Sequence, residues 1–339
     1  MLLSELSDEL GSRTRALETL KWLFAQAPLP TSLPDVMPGV SQKVWSAFRA
    51  RGGLTLPRVK ERQVSADGTT KYALDFGGTL VETVRIPTER RSTICVSSQA
   101  GCSRRCAFCA TKELGFQRQL KAEEIVAQYL VARAEASPEA PARNVVFMGM
   151  GEPFDNLDEV MRAVEVLTQS PAPQLKATSV TVSTSGVLPG MRRFLAESSA
   201  SLALSLNATT DEQREHLMPH NKTWPIAALL GELERSDRVH FIEYVLFDGV
   251  NDTDADADRL VALMKPLRAR VNLIPHNPFP GSPLKAPSDE RLRHFHARVV
   301  GQGQLCLVRW PRGREIAAAC GQLVLANSSE GFETPASAV

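Results

Sequence analysis

The amino-acid sequence predicts an α/β fold, in which a partial (β/α)6 barrel follows a small N-terminal α+β domain. After residue 91, short apolar segments alternate with segments of helical periodicity, and such β–α repeats imply a parallel sheet with right-handed crossovers. Short motifs rich in Gly, Ser, Asn or Cys follow the ends of these strands. Because barrel proteins carry their chemistry at the carboxyl ends of the strands, these motifs are the candidate functional groups.

The N-terminal part is predicted to be a small helical unit followed by a β-meander. Helices are predicted over residues 5–27, where Pro28 ends the periodicity, and over residues 41–51. The Asp67-Gly68 step between two alternating segments predicts a hairpin. The strands of the meander are expected at 59–64, 71–76 and 80–86. On its own, this part indicates an accessory domain and no activity.

The barrel part is predicted to contain seven strands joined by helical connections. The strands are expected near 93–98, 144–149, 178–183, 202–206, 239–246, 270–274 and 304–309. The helices are expected at 121–136, 157–168, 188–196, 210–216 with 225–235, 254–268 and 288–300. We therefore divide the chain into an N-terminal accessory domain (1–90), a barrel with a C-terminal cysteine segment (91–323) and a tail (324–339).

Length and composition are typical of a globular protein of a reducing compartment. The chain has 339 residues, of which 43% are hydrophobic and 23% charged, enough for one large domain and a smaller one. The first residues are acidic and have no sustained apolar core, and no apolar run is long enough to span a bilayer. We expect a cytoplasmic protein with no membrane partner. With a net charge of +1, a nucleic-acid partner has to be argued from local patches.

Four of the six cysteines lie between Cys95 and Cys109, and Cys102, Cys106 and Cys109 have the spacing C-x3-C-x2-C. Three thiolates this close hold three irons of a [4Fe–4S] cluster and leave the fourth iron open to a small molecule. This spacing after a short apolar strand is the sequence mark of radical S-adenosylmethionine (SAM) enzymes. Two alternatives are a zinc site with a remote fourth ligand and a disulfide cluster. Zinc sites usually pair C-x2-C units, and nothing at the N-terminus indicates export, so we prefer the iron–sulfur interpretation.

Polar motifs follow the later strands. The run from Gly149 to Pro153 predicts a close backbone approach to a ligand and acceptors for an ammonium group, or else a plain strand-to-helix turn. The hydroxyls of Ser183 and Ser205 either bond the ribose and adenine of SAM or cap the next helices. Asn277 is either a ligand contact or a turn residue.

The last motif surrounds Cys320, which has three alanines before it and Gly321 after it. A lone cysteine near a C-terminus is normally an inert buried residue. Its small neighbours are also compatible with a loop that reaches back over the barrel mouth. Cys306 alternates like a strand residue, and we expect it in the core.

Basic residues recur near the motifs. They are Arg104, Arg105, Lys112, Arg118, Arg309, Arg312 and Arg314, with Arg85, Arg90 and Arg91 before the strand that precedes the three-cysteine motif. Runs of charge are usually solvated surface. Because these residues flank the predicted site, we predict contacts with a phosphate backbone.

Taken together, the motifs resemble those of the radical-SAM ribosomal RNA adenine methyltransferases, the RlmN/Cfr family. The resemblance rests on Cys95-Val-Ser-Ser-Gln with the three-cysteine motif, Gly149-Met-Gly-Glu-Pro153, Ser183-Thr-Ser-Gly186, Met218-Pro-His-Asn-Lys222, Asn277-Pro-Phe-Pro-Gly281 and Ala318-Ala-Cys-Gly-Gln-Leu323. It includes Asp67-Gly68 and Val81-Glu82-Thr-Val84, and it runs from about residue 10 to residue 323.

The resemblance implies a radical-SAM barrel with a [4Fe–4S] cluster on Cys102, Cys106 and Cys109, and two SAM molecules per turnover. One SAM would methylate Cys320 to S-methylcysteine, and the other would yield the radical that activates this methyl group for addition to adenine. Cys95 matches the family's resolving cysteine, which forms a transient disulfide with Cys320, and Glu82 matches its proton acceptor. The implied SAM contacts are Gly151, Glu152, Ser183, Ser205, Leu206, Asn207 and Asn277.

The implied substrate is RNA, at carbon 2 of adenosine 2503 in 23S ribosomal RNA and, in some members, at adenosine 37 of transfer RNA. The N-terminal domain would help to grip this folded RNA. We also expect an electron donor such as flavodoxin or ferredoxin, and a monomeric protein. The alternatives are carbon-8 methylation of the same ribosomal adenosine, as in the antibiotic-resistance branch, and a non-catalytic, metal-stapled RNA-binding protein.

The chain departs from the family pattern in three places. Asn207 stands where His is usual, and His276 stands where Trp is common. Some members carry a strongly basic tail, whereas no Lys or Arg follows Leu323 here. These departures bear on the choice of RNA and of ring carbon more than on the type of reaction.

Overall fold

The computed structural model describes residues 3–54, 56–169 and 175–324. Its N-terminal part contains α1 (Leu3–Leu10), α2 (Arg13–Ala25), α3 (Gln42–Ala50), β1 (Arg58–Val64), β2 (Thr70–Asp75) and β3 (Leu80–Pro87). The elements that follow are β4 (Ser92–Cys95), β5 (Gln99–Gly101), β6 (Phe116–Gln119), α4 (Ala122–Arg133), β7 (Ala142–Phe147), α5 (Leu157–Thr168), β8 (Val180–Thr184), α6 (Leu188–Glu197), β9 (Ser201–Ser205), α7 (Asp211–Leu217), α8 (Ile226–Glu234), β10 (His240–Leu246), α9 (Asp254–Met264), β11 (Ala269–Pro275), α10 (Asp289–Gly301) and β12 (Cys306–Val308). Except for Val324, the predicted tail lies outside the described residues.

The strands form one long mixed sheet in the order β1-β2-β3-β4-β7-β8-β9-β10-β11-β12. From β4 to β12 every neighbouring pair is parallel, and helices connect successive strands. The strands β1 and β12 are the two edges of the sheet, so the barrel stays open between them. The prediction of a partial (β/α)6 barrel is confirmed, and all seven predicted barrel strands are present within a few residues of their expected positions.

The apolar side chains of the parallel strands explain why these strands could be predicted from the sequence. Val180, Val182, Leu202 and Leu204 are fully buried, because helices cover one face of the sheet and the interior of the barrel covers the other. Neighbouring helices also pack on each other, with α4 against α5, α6 against α8 and α9 against α10. In the described ranges, no helix combines the length and the apolar composition needed to cross a membrane.

The N-terminal helices pack around Trp45, which is fully buried. Its indole nitrogen donates to the carbonyl of Pro34 at 2.8 Å, and its ring lies 5.3 Å from that of Phe48, centre to centre. A buried Trp needs such a partner for its N–H group. The residue therefore fixes α3 against the loop that precedes it.

Two features differ from the predictions. The helix expected over 5–27 is broken into α1 and α2, because Gly11 adopts a left-handed φ of +64° and Ser12 is extended. The antiparallel pair of β5 and β6 was not predicted. Its strands are only three and four residues long, too short to show a period, and they are separated by the whole cysteine loop.

The β-meander does not form a separate sheet. The strand β3 pairs antiparallel with β4, with Val84 opposite Cys95, so the meander extends the sheet of the barrel. This pairing brings N-terminal residues next to the predicted site. The division of the chain at residue 90 remains a prediction.

Candidate active site

A cavity opens at the carboxyl ends of the parallel strands. Its empty volume is about 970 Å³ with the open mouth included. Predicted site residues that line it are Cys102, Cys106, Cys109, Gly151, Glu152, Ser183, Ser205, Asn207, Asn277 and Cys320. Residues from five strand ends and from the C-terminal segment thus meet at one place, although they are up to 218 positions apart.

The cysteine loop is shaped by the β5–β6 hairpin. Gly101 adopts a φ of +71°, and a Cβ atom there would lie 1.7 Å from the carbonyl oxygen of Gly115, so only glycine fits. The amide of Cys102 donates to the same carbonyl at 3.0 Å, and the amide of Cys109 donates to Cys106 at 3.2 Å. These bonds turn the loop so that all three partly exposed thiols face the cavity.

The three thiols suit an iron–sulfur cluster. Burial raises the pKa of all three, to about 12 for Cys102, and the neighbouring thiols raise the pKa of Cys106 further. Coordination to iron removes such protons outright, so this donor set becomes favourable only with a metal. In the described part of the chain, no three His, Cys, Asp or Glu side chains surround a position for a single metal ion.

Glu152 joins the ends of two strands. One carboxylate oxygen accepts from the amide of Phe154 at 3.0 Å and the hydroxyl of Thr184 at 2.7 Å, and the other accepts from the amide of Ser185 at 2.7 Å. Burial raises the pKa of Glu152, and these hydrogen bonds act in the opposite direction. Gly151 beside it has a φ of +101°, and a Cβ atom there would meet the Gln99 side chain at 2.5 Å. The chain backbone therefore runs directly along the cavity wall.

Ser183 and Ser205 face each other across β8 and β9. Their hydroxyl oxygens are 3.2 Å apart, and both line the cavity. The capping alternative is wrong for both residues, because the residues at the helix starts are Val187 for α6 and Thr210 for α7. Both hydroxyls therefore remain available to a ligand in the cavity.

Asn207 is held in an unusual backbone conformation. Its φ is +58°, a left-handed value that Asn and His adopt more readily than most residues. Its side-chain oxygen accepts from the amide of Val245 at 2.9 Å, and its side-chain nitrogen lies 3.4 Å from the sulfur of Met218. Leu206 is fully buried and does not line the cavity, and its predicted contact with SAM remains a prediction.

Cys320 lies in a loop that folds back over the cavity, as one of the two interpretations expected. Cys320 is exposed and lines the cavity. Burial, followed by the charge of Glu243, raises the pKa of its thiol to about 11. Asn277 donates to the carbonyl of Cys320 at 3.2 Å, and Ala110 in the cysteine loop donates to Gly321 at 2.7 Å. Asn277 thus contacts the cysteine segment directly.

The residues before Cys320 are locked to the β1–β2 turn by two carboxylates. Glu315 accepts from the hydroxyl of Ser65 and from the amide of Ala66, the latter at 2.8 Å. In return, Asp67 accepts from the amide of Gly313 at 3.2 Å. Each segment therefore binds a backbone N–H group of the other, and the N-terminal hairpin helps to place Cys320.

Comparisons with known proteins agree with this geometry. Residues 96–261 match the model of the radical SAM superfamily. A dual-specificity RNA methyltransferase RlmN 2 of Myxococcus xanthus is 41% identical over 331 residues, which cover 94% of this chain and 86% of that protein. The RlmN protein of Francisella tularensis subsp. novicida is 38% identical over 320 residues, covering 91% and 86%. The chain belongs to the RlmN/Cfr family.

A solved structure supports the same assignment. The radical SAM methyltransferase of Sphaerobacter thermophilus superposes with a TM-score of 0.89 at 37% identity, covering 95% of this chain and 97% of that one. SuiB of Streptococcus suis, at 15% identity and a TM-score of 0.51, shares the fold alone. Like other RlmN/Cfr family members, the protein is a SAM-dependent RNA methyltransferase of the radical-SAM type, a family that uses a [4Fe–4S] cluster and SAM.

Two further RlmN/Cfr positions, Cys95 and Glu82, are buried and do not line the cavity. Cys95 is buried, and its pKa is raised by burial and then by the neighbouring Cys320 thiol. Both cysteines are free thiols. Glu82 is buried in an ion pair with Lys71 at 3.0 Å, and Lys71 also donates to the carbonyl of Ala317 at 3.4 Å. The roles of Cys95 and Glu82 remain predictions.

The structure adds two residues that the sequence reasoning missed. Arg214 on α7 is fully buried, and its guanidinium donates to the carbonyls of Ser185, Ser205 and Leu206, with burial lowering its pKa to about 10. It fixes the strand ends predicted to bind SAM. In the sequence, it looked like an exposed helical residue.

Glu243, in the middle of β10, is the second missed residue. It lines the cavity, is nearly buried and accepts from the side chain of Asn272 at 2.8 Å. Burial raises its pKa to about 7, against the opposing effects of Asn272 and Arg309. An acidic residue within a buried strand was the available signal in the sequence.

Proposed function

We propose that the protein methylates carbon 2 of an adenosine in 23S ribosomal RNA, and an adenosine of transfer RNA, through S-methylation of Cys320. The observation that carries the proposal is that Cys320 faces the same cavity as Cys102, Cys106 and Cys109. A carbon carried on this sulfur can reach both a SAM molecule in the cavity and a base inserted through its mouth. The names of the Francisella and Myxococcus relatives include dual specificity, which supports two classes of RNA.

Cys320 acts first as a nucleophile. Its thiolate attacks the methyl carbon of SAM, the sulfonium–carbon bond breaks, and S-methylcysteine and S-adenosylhomocysteine form. Ring carbon 2 of adenine is electron-poor and does not itself attack a sulfonium methyl group. The detour through Cys320 is therefore required by the chemistry of the substrate.

The cavity residues then hold a second SAM molecule while the S-methyl group is activated. A cluster held by Cys102, Cys106 and Cys109 would supply the one-electron chemistry of this stage, as donor of the electron that cleaves SAM into a hydrogen-abstracting radical and as acceptor of the electron that the modified base has to lose. Ser183 and Ser205 position the ribose, and the wall from Gly149 to Glu152 positions the amino group. The S-methylene carbon of Cys320 bonds to the ring, so the RNA is transiently attached to the protein.

Release needs a base and a second thiol. Glu82 takes the proton from the ring carbon, and the Cys95 thiolate attacks the sulfur of Cys320. The sulfur–carbon bond breaks and a Cys95–Cys320 disulfide forms. Two hydrogens of the product methyl group come from S-methylcysteine, and the third is a proton. We also propose that an electron donor such as flavodoxin or ferredoxin reduces the enzyme and that the enzyme is a monomer.

The test is anaerobic turnover of the reconstituted protein with SAM, dithionite and unmodified RNA transcripts. Cys320→Ala should give neither S-methylation nor methylated base, and Cys95→Ala should accumulate a covalent RNA adduct. Cys306→Ala is the matched control, because this buried cysteine lies in β12, and it should behave like the wild type. Normal methylation by Cys320→Ala would refute the two-step route.

Mass spectrometry of the digested RNA separates the alternatives. 2-Methyladenosine is the expected product, whereas 8-methyladenosine would assign the protein to the antibiotic-resistance type. A protein that binds RNA and zinc without any product would be the non-catalytic alternative.

A further inference from the structure

A second large groove lies at the opposite end of the parallel strands. Its empty volume is about 1670 Å³ with the mouth included. It is bounded by the residues that precede β4, by the start of β7, by the residues just before β8 and by the end of α4. No predicted or observed residue of the active-site cavity lines it.

Five cations line this groove. They are Arg90, Arg91, Arg133, Arg143 and Lys176. No acidic residue is among the lining residues, and Glu89 and Glu139 in the adjacent turns do not reach it. All of the five except Arg133 are exposed.

These cations are not neutralised by the protein. Within residues 3–54, 56–169 and 175–324, none of the five forms an ion pair, and only Arg133 donates a side-chain hydrogen bond, to the carbonyl of Phe24. Near the cavity, by contrast, Arg104 pairs with Asp155 and Arg118 with Glu124. The five cations therefore form an uncompensated positive patch away from the cavity. The expectation that Arg90 and Arg91 flank the site is wrong, because they precede β4 whereas the cavity lies beyond its other end.

The distance between the two sites follows from β7. Ala142 at its start borders the groove, and Met148 just after its end borders the cavity. A strand rises about 3.3 Å per residue, so the sites are about 20 Å apart. A small molecule cannot occupy both, whereas a folded RNA can present one nucleotide to the cavity and backbone phosphates to the groove.

We propose that the groove of Arg90, Arg91, Arg133, Arg143 and Lys176 binds the phosphate backbone of the RNA substrate, away from the reacting nucleotide. The proposal rests on the proposed function for the identity of the RNA. Guanidinium groups match phosphate oxygens in pairs, and the four arginines provide this geometry. Tyr129 is the aromatic residue of the lining, and its hydroxyl donates a hydrogen bond to the carbonyl of Ala142 at 3.0 Å. The groove therefore contacts backbone rather than reading bases.

An acidic electron-transfer protein would also complement the charge. It would have to deliver an electron from the groove to the cavity at the other end of the strands, about 20 Å away. RNA needs no such transfer, so it fits the position of the groove better.

The experiment removes three exposed cations together, as R91Q/R143Q/K176Q. The matched control removes three exposed cations that line neither the groove nor the cavity, as K265Q/R270Q/R293Q. Binding of unmodified transcripts of 23S ribosomal RNA and transfer RNA to the cluster-loaded proteins is measured by fluorescence anisotropy over a range of salt concentrations. Each phosphate contact contributes about 0.7 to 0.9 to the slope of log K against log salt.

The groove variant should bind RNA at least about tenfold more weakly at low salt, with a slope smaller by about two, whereas the control variant should match the wild type. S-methylation of Cys320 by SAM without RNA should be unchanged in both. Equal affinity and slope in the two variants would overturn the proposal. Slower reduction by flavodoxin with unchanged RNA affinity would overturn it in favour of a protein partner. Because RNA affinity is read without turnover, failure of the methylation reaction itself would count against the proposed function and not against the groove.

Discussion

The buried carboxyl of Glu243 predicts an unusual dependence of stability on pH. Burial raises its pKa from 4.5 to about 7, so the folded protein holds this proton more tightly than the unfolded chain. The resulting stabilisation is complete below pH 4.5 and is lost as the pH rises to 7. A shift of about 2.5 pKa units corresponds to about 3 kcal/mol. Glu243→Gln removes the titration, so its stability relative to the wild type should rise by about 3 kcal/mol between pH 4.5 and pH 8.

The assay is urea unfolding of both proteins, equally loaded with cluster, at a series of pH values. The difference in free energy of unfolding should follow a single titration that ends near pH 7. Glu234→Gln is the control, since this glutamate is exposed at the end of α8, and its difference from the wild type should not follow this curve. A difference for Glu243→Gln that is constant across the pH range would refute the reasoning.

Four further substitutions test the framework of the protein. Arg214→Lys keeps the charge but loses the forked geometry, so SAM should bind about tenfold more weakly in equilibrium dialysis, as expected for the loss of one charged hydrogen bond. Trp45→Ala should lower the free energy of unfolding by about 3–5 kcal/mol, measured in urea, because the side chain is fully buried. Asp67→Asn or Glu315→Gln should free the cysteine segment and speed alkylation of Cys320 by iodoacetamide about fivefold, measured by peptide mass spectrometry.

Matched controls decide these outcomes. Asp75→Asn removes a similar carboxylate, which caps the β2–β3 turn at Gly78 without touching the cysteine segment, and should leave alkylation of Cys320 unchanged. Faster alkylation in this control would mean that the meander as a whole had loosened. Asp67 and Glu315 hold the same two segments together. The double variant should therefore raise the rate of Cys320 alkylation by less than the product of the two single effects.

Much of the site was predictable because its residue types have few other uses. The three cysteines at C-x3-C-x2-C and Gly151 were identified from spacing and position after a strand, and the cavity brings them together. The sequence did not decide whether Asn277 contacts a ligand or belongs to a turn. In the structure, its side chain donates a hydrogen bond to the carbonyl of Cys320. Arg214 could not be identified, because a helical arginine has the same sequence pattern whether it is exposed or buried.

The basic residues show a different limit. The sequence placed Arg90, Arg91 and Arg104 in one group, because they lie near one another along the chain. Arg90 and Arg91 precede β4 and Arg104 follows it, so the strand places them at opposite ends of the barrel. Of the three, Arg104 alone forms an ion pair with Asp155. Which charges remain free is decided by pairing between distant segments, which no local pattern records.

The sequence by itself determined the order of strands and helices, the cysteine motif and the family, because burial on both faces and ligand spacing leave local signals in the chain. Only the tertiary structure decided that the β-meander joins the barrel sheet, that two carboxylates lock the Cys320 segment to the β1–β2 turn, and that free positive charge collects at the far end of the strands. These depend on contacts between residues up to about 250 positions apart, whose free energies come from burial and pairing that exist only once the chain is folded.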